Sequence, residues 1–179
     1  MIRMGSWFAY ATGVIATFGV VCFVARFGPW KGTIPFGVLN DVSSLLQYLL
    51  TISIAWSLFQ LIRTRHQALA GATTIIGIAG MLSVVTLQAL LLARVLTFEQ
   101  QGLPVSIAIL VVGVWLIGTG YLLRSASAFR HSLAISLLAV PYFAYPIWAF
   151  WLGRRLRRTA LLIESGGTVF ASAPPTTIG

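Results

Sequence analysis

The sequence is poor in charged residues, which make up 8% of its 179 positions, whereas soluble domains carry roughly 25%. It contains one cysteine, two histidines and three carboxylates, namely Asp41, Glu99 and Glu164. One cysteine excludes a disulfide-stapled scaffold, and a hydrophobic content of 58% excludes an intrinsically disordered chain. The composition is that of a multi-pass membrane protein rather than of a water-soluble domain.

Motifs for catalysis, cofactors and metals are also missing from the sequence. It has no HExxH, no CxxC, no Walker glycine loop and no GxSxG. Acid–base catalysis needs groups within hydrogen-bond reach of one substrate atom, and although the predicted topology puts all three carboxylates on one face, nothing in the sequence fixes the distance between them. We therefore expect no cofactor and no metal. The sequence favours a non-enzymatic protein but leaves a membrane enzyme open.

Five apolar runs without charge dominate the chain, at residues 7–25, 42–62, 72–93, 105–123 and 133–152. Each is close to the roughly 20 residues that an α-helix needs to cross about 30 Å of hydrocarbon. Because lipid offers no hydrogen bonds, each run must pair its own backbone groups as a helix. The sequence predicts an all-α integral membrane bundle of five transmembrane helices in one domain, residues 1–158, and a polar flexible C-terminal tail, residues 159–179.

The distribution of basic residues predicts an orientation. Five helices place the two ends of the chain on opposite faces, and the face with the C-terminal tail carries seven Lys and Arg residues against five. Basic residues mark the cytoplasmic face, so we expect the N-terminus outside and the C-terminus inside a cell membrane, most simply a bacterial inner membrane. We expect the cluster Arg154, Arg155, Arg157 and Arg158, which directly follows a span, to meet anionic lipid headgroups rather than nucleic acid.

Small residues recur at helical spacing on two of the predicted helices. Gly5, Ala9 and Gly13 repeat every four residues on the first helix, and Gly113 and Gly120 lie seven apart on the fourth. Small side chains let helix backbones approach closely in membranes. They favour packing within the chain, and packing against other membrane subunits remains the alternative.

Polar residues inside the spans form a candidate pocket. Its members come from the second, third and fifth helices: Gln47, Thr51, Gln88, Tyr142 and Tyr145. Buried amides in lipid seek partners, so a hydrogen bond between helices, from Gln88 to a residue such as Gln47, is one interpretation. The other is a polar pocket between helices 2, 3 and 5. We expect Pro141 and Pro146 to bend the fifth helix and to turn its tyrosines toward that pocket.

Three stretches, GIAGMLSVVTLQALLLARVLTFEQQG, VVGVWLIGTGYLL and YFAYPIWAFWLGRRL, together with GVLNDVSSLLQYLL, resemble a loosely defined group of small uncharacterised bacterial multi-pass membrane proteins. The resemblance covers about residues 28–158 and brings no catalytic or binding residues with it. The leading functional interpretation is a small structural or accessory subunit or a membrane-embedded binding protein. The alternative is a small-molecule or lipid carrier that uses the polar pocket.

Overall fold

The computed structural model describes residues 2–27, 35–125 and 141–164, and every regular element within these ranges is an α-helix. The helices are α1 (Ile2–Phe27), α2 (Phe36–Leu92), α3 (Phe98–Ser125) and α4 (Pro141–Glu164). The all-α class predicted from the sequence is therefore correct for the described part of the chain.

Helix α2 is 57 residues long and is broken at a single residue, His66, whose φ of −138° and ψ of 58° are not helical. The break divides α2 into a first arm, Phe36–Thr64, and a second arm, His66–Leu92. The break lies in the stretch between the second and third predicted spans, residues 63–71, and nearly all of this stretch is helical rather than a loop. Arg, Gln, Ala and Leu are strong helix formers, so the end of an apolar run does not end the helix.

Four segments are long and apolar enough to cross a membrane: Arg3–Arg26, the two arms of α2, and Phe98–Leu123. They contain the first four predicted spans, apart from Ala93 at the end of the third, and support a multi-pass membrane protein. The first eight residues of the fifth predicted span, 133–140, lie outside the described residues. Helix α4 contains the other twelve, and it continues to Glu164, beyond residue 159, where the predicted tail begins.

The turn between α2 and α3 covers residues 93–97 and is shorter than the gap between the third and fourth predicted spans, residues 94–104. Both helices have recognisable end motifs. Arg94 has a left-handed φ of 57°, and the amide of Val95 donates to the carbonyl of Leu90 at 2.9 Å, which together form a Schellman C-cap. At the start of α3, Thr97 and Gln100 exchange backbone-to-side-chain hydrogen bonds of 2.9 and 3.3 Å. This reciprocal pair is a capping box, and it starts α3 at Phe98.

Helix α1 runs antiparallel to the first arm. A Cβ atom at Gly5 would meet the Ser57 hydroxyl at 2.5 Å, and one at Gly19 would meet Cβ of Ser43 at 3.2 Å. The N-terminal end of α1 therefore lies beside the C-terminal end of the first arm.

The second arm reverses direction at His66 and packs antiparallel on α3. Thr73 lies against Gly118, and Gly77 lies against Trp115. The guanidinium of Arg26 lies 5.6 Å from the ring centre of Phe98, so α3 starts beside the C-terminal end of α1. The second arm thus returns across the bundle.

Helix α4 packs antiparallel on α1, and this arrangement corrects the expected placement of the chain ends. Phe150 lies against Gly13, and Gly153 lies against the backbone of Ser6. Arg3 and Glu164, near the two ends of the described chain, form an ion pair at 4.0 Å. The sequence analysis expected opposite faces, but the N-terminal end of α1 and the C-terminal end of α4 share one end of the bundle.

Large apolar side chains and small hydroxyls share the interior. Ile54, Leu58, Met81, Trp115 and Leu156 are each at most 2% exposed. The buried hydroxyls of Thr12, Ser43, Thr51 and Ser57 donate to carbonyls four residues earlier in their own helices, at 2.7 to 3.0 Å. Such bonds satisfy a hydroxyl where neither lipid nor water can, so a buried hydroxyl at these positions does not require an acceptor on a neighbouring helix.

Candidate functional site

The small residues singled out on α1 line its contacts with two neighbours. Gly5 lies against Ser57 and also approaches Leu156, and Gly13 faces the ring of Phe150 at 3.1 Å from an added Cβ. Ala9 between them is fully buried. Helix α1 is thus held between the first arm and α4 through positions with little or no side chain.

The two glycines singled out on α3 lie in different surroundings. Gly120 is buried. Gly113 is half-buried, and an added Cβ there would meet no atom within 4 Å. Gly113 therefore makes no close helix contact within the described part of the chain.

The members of the candidate pocket come from both arms of α2 and from α4. Thr51 is fully buried, and its hydroxyl donates to the backbone carbonyl of Gln47 at 2.7 Å. Helix α4 packs mainly on α1, while α3 packs on α2. No extensive interface in the described ranges joins α4 to α2 or α3. The side chains of Tyr142 and Tyr145 lie outside what the structure describes.

The two prolines of the predicted bend lie at different places in α4. Pro141 is the first described residue of the helix, and its usual hydrogen-bond acceptor, residue 137, lies outside the described residues, so the bend expected there stays a prediction. Pro146 lies in the interior of α4. It cannot donate to the carbonyl of Tyr142, so this carbonyl lacks its usual helical partner.

Unpartnered polar atoms mark the interface between the second arm and α3. The amide oxygen of Gln88, the amide nitrogen of Gln101 and the indole nitrogen of Trp115 are buried and have no hydrogen-bond partner in the described structure. The hydrogen bond expected of Gln88 is therefore absent at its amide oxygen. Gln101 is 3% exposed. Its burial was not predicted, because it lies between the third and fourth apolar runs of the sequence. The capping box Thr97–Gln100 was the available sign that Gln101 is helical.

Arginine is concentrated at the end of the bundle shared by the N-terminal end of α1, the His66 break and the C-terminal ends of α3 and α4. We call this the basic end. Its described arginine side chains are those of Arg3, Arg63, Arg154, Arg155, Arg157 and Arg158, with Glu164 as the accompanying carboxylate. At the opposite end, the described residues include two arginines, Arg26 and Arg94, and two carboxylates, Asp41 and Glu99. The described charges thus give one strongly positive end and one nearly neutral end.

A cleft of about 100 Å³ opens at the basic end between α1 and α4. Its polar lining combines two guanidinium groups and one carboxylate, and its apolar lining includes an indole; the residues are Arg3, Ser6, Trp7, Arg157, Ala160, Leu161 and Glu164. The hydroxyl of Ser6 donates to the carbonyl of Arg3 at 2.7 Å, which leaves the arginine side chains as the cleft's main donors. Arg157 has no ionic partner among the described residues.

Aromatic side chains surround this end of α1 and α4. Trp7 meets Tyr10 edge-on at 6.4 Å between ring centres, and Tyr10 in turn meets Phe150 at 6.3 Å. On α4, the guanidinium of Arg155 lies 5.3 Å from the ring centre of Trp151. Tryptophan and arginine together are typical of the headgroup layer of a membrane.

No protein-family model matches the chain, and neither a curated protein nor a solved structure is significantly similar to it.

Proposed function

We propose that the protein is a non-enzymatic integral membrane protein that acts as a small structural or accessory subunit or as a membrane-embedded binding protein. The observation that carries this proposal is an apolar stripe on α3 with spacings of four and three residues: Leu103, Ile107, Leu110, Val114, Ile117 and Tyr121. Each of these side chains is more than half exposed. This periodicity matches the contact face of one membrane helix on another.

Photo-crosslinking distinguishes a partner surface from a lipid surface. A photoreactive residue at Leu110, 67% exposed, should form a discrete protein adduct in native membranes. The same residue at Val14 on α1, which is 59% exposed and also apolar, provides the matched control and should capture lipid. Lipid adducts alone at both positions would count against the subunit proposal. Mild-detergent purification followed by identification of co-purifying chains would then name the partner.

A carrier for a small molecule or lipid is the second candidate. It is favoured by the buried oxygen of Gln88 and the buried nitrogen of Gln101, since an acceptor and a donor without partners can bind a polar ligand. Native mass spectrometry of the purified protein should then show a bound small molecule that Gln88→Leu removes. A ligand-free wild-type protein would exclude this candidate.

For orientation, we propose that the basic end faces the cytoplasm of a bacterial inner membrane. The support is the number of arginines at that end, because Lys and Arg in short connections and helix ends set the orientation. Arg154, Arg155, Arg157 and Arg158 would then meet the anionic headgroups of the cytoplasmic leaflet. We also propose that the chain is related to the small uncharacterised bacterial multi-pass membrane proteins that its sequence resembles.

A further inference from the structure

We infer that the cleft between α1 and α4 binds the phosphate of one anionic phospholipid headgroup, with Arg3 and Arg157 as its ligands. This inference rests on the proposal that the basic end meets anionic headgroups, is independent of the subunit proposal, and names one defined site rather than the general attraction of a basic surface. Two arginines from different helices line the same cleft. Guanidinium groups bind phosphate oxygens in bidentate geometry.

The size of the cleft suits a phosphate group. A cavity needs roughly 10–15 Å³ of space open to the centre of a water-sized sphere to hold one water molecule. The cleft has about 100 Å³ of such space.

The existing ion pair in the cleft is easily displaced. Arg3 and Glu164 lie 4.0 Å apart, with side chains 75% and 55% exposed. Exposed pairs at this distance contribute little to stability, so the guanidinium of Arg3 can turn to a phosphate at little cost. Glu164 then acts as a competitor for Arg3, and removing its charge should strengthen binding.

The surroundings favour a lipid over free phosphate. Trp7 is 64% exposed and Leu161 is 56% exposed, and both line the cleft. Indoles occupy the headgroup layer of a bilayer, and an exposed leucine beside them offers contact to the glycerol and upper acyl region. A soluble anion would make no use of these apolar walls.

Lipid titration of the purified full-length protein tests the inference. Binding of phosphatidylglycerol and phosphatidylcholine is measured by native mass spectrometry in detergent, with inorganic phosphate as a third probe. We expect Arg157→Gln and Arg3→Gln each to weaken phosphatidylglycerol binding about tenfold, as expected for the loss of hydrogen bonds from a charged donor. Arg63→Gln removes the same charge from an exposed position at the same end of the bundle, does not touch the cleft and should leave the affinity nearly unchanged. Glu164→Gln should increase it.

Each contrary result has a definite meaning. Equal losses in Arg157→Gln and Arg63→Gln would show diffuse electrostatic attraction and overturn the site. Equal binding of phosphatidylcholine would overturn the requirement for a net anionic lipid. Complete competition by millimolar inorganic phosphate would replace the lipid with a soluble anion. Unfolding temperatures measured without added lipid check that every variant is folded.

Discussion

The indole of Trp115 on α3 lies so close to Gly77 on the second arm that a Cβ atom at position 77 would overlap it. Trp115 is 1% exposed, so its ring cannot move aside without disturbing the surrounding core. This contact fixes how closely the second arm and α3 approach each other.

Gly77→Ala should therefore lower the free energy of unfolding by about 1–3 kcal/mol, the usual range for overpacking a well-packed core. The measurement is reversible unfolding in detergent micelles. Gly113→Ala is the matched control, because an added Cβ there meets no atom within 4 Å. It should leave stability unchanged or raise it slightly through helix propensity. Equal losses in both variants would show that the Gly77–Trp115 contact has no special role.

Gln101→Leu should raise the free energy of unfolding by about 1 kcal/mol, because a buried donor without a partner carries a desolvation penalty of that order. Gln100→Leu is the control from the adjacent position. The Gln100 side chain accepts a hydrogen bond from the amide of Thr97, so its loss should lower stability by about 1 kcal/mol. If Gln101→Leu destabilised the protein as Gln100→Leu does, its amide nitrogen would have a partner in the native state.

Arg94→Gly should also stabilise the fold, by about 1 kcal/mol, because Arg94 has a left-handed φ of 57°. A residue with a Cβ atom is disfavoured there, whereas glycine is the usual residue at this position of a Schellman C-cap. The same substitution inside the first arm, Arg63→Gly, should have the opposite sign at about the same magnitude. Thermal unfolding of both variants in one detergent compares them, and a loss of stability in Arg94→Gly would contradict the capping argument.

Helix identity and the first four spans were predictable from the sequence, because apolar length in a charge-poor chain leaves only helices. The helix boundaries were less predictable. Charged residues such as Arg63 ended the predicted span, yet propensity carried the helix on to a single break at His66. The capping box at Thr97 was visible in the sequence, and it would have moved the start of α3 from residue 105 to Phe98.

The candidate site was less predictable than the fold, because it depends on which helices are neighbours. Gln88 and Thr51 could be identified as polar residues within spans, but no sequence pattern shows that α4 packs on α1. For the same reason, the sequence places Arg3 and Arg157 far apart, while the fold brings them into one cleft. The expected separation of the chain ends depended on counting five consecutive crossings, whereas contacts in the described residues bring the N-terminal end of α1 and the C-terminal end of α4 together.

The most direct test of the account is the sidedness of the basic end, measured with single cysteines in a Cys22→Ala background. Met4→Cys, Ile163→Cys and Val95→Cys use exposed positions and leave every arginine in place. A membrane-impermeant maleimide added to intact bacterial cells should label only Val95→Cys, and permeabilised cells should show labelling at all three. Labelling of Met4→Cys and Ile163→Cys from opposite faces would contradict the shared end of α1 and α4, and labelling of both in intact cells would contradict the cytoplasmic placement of the basic end.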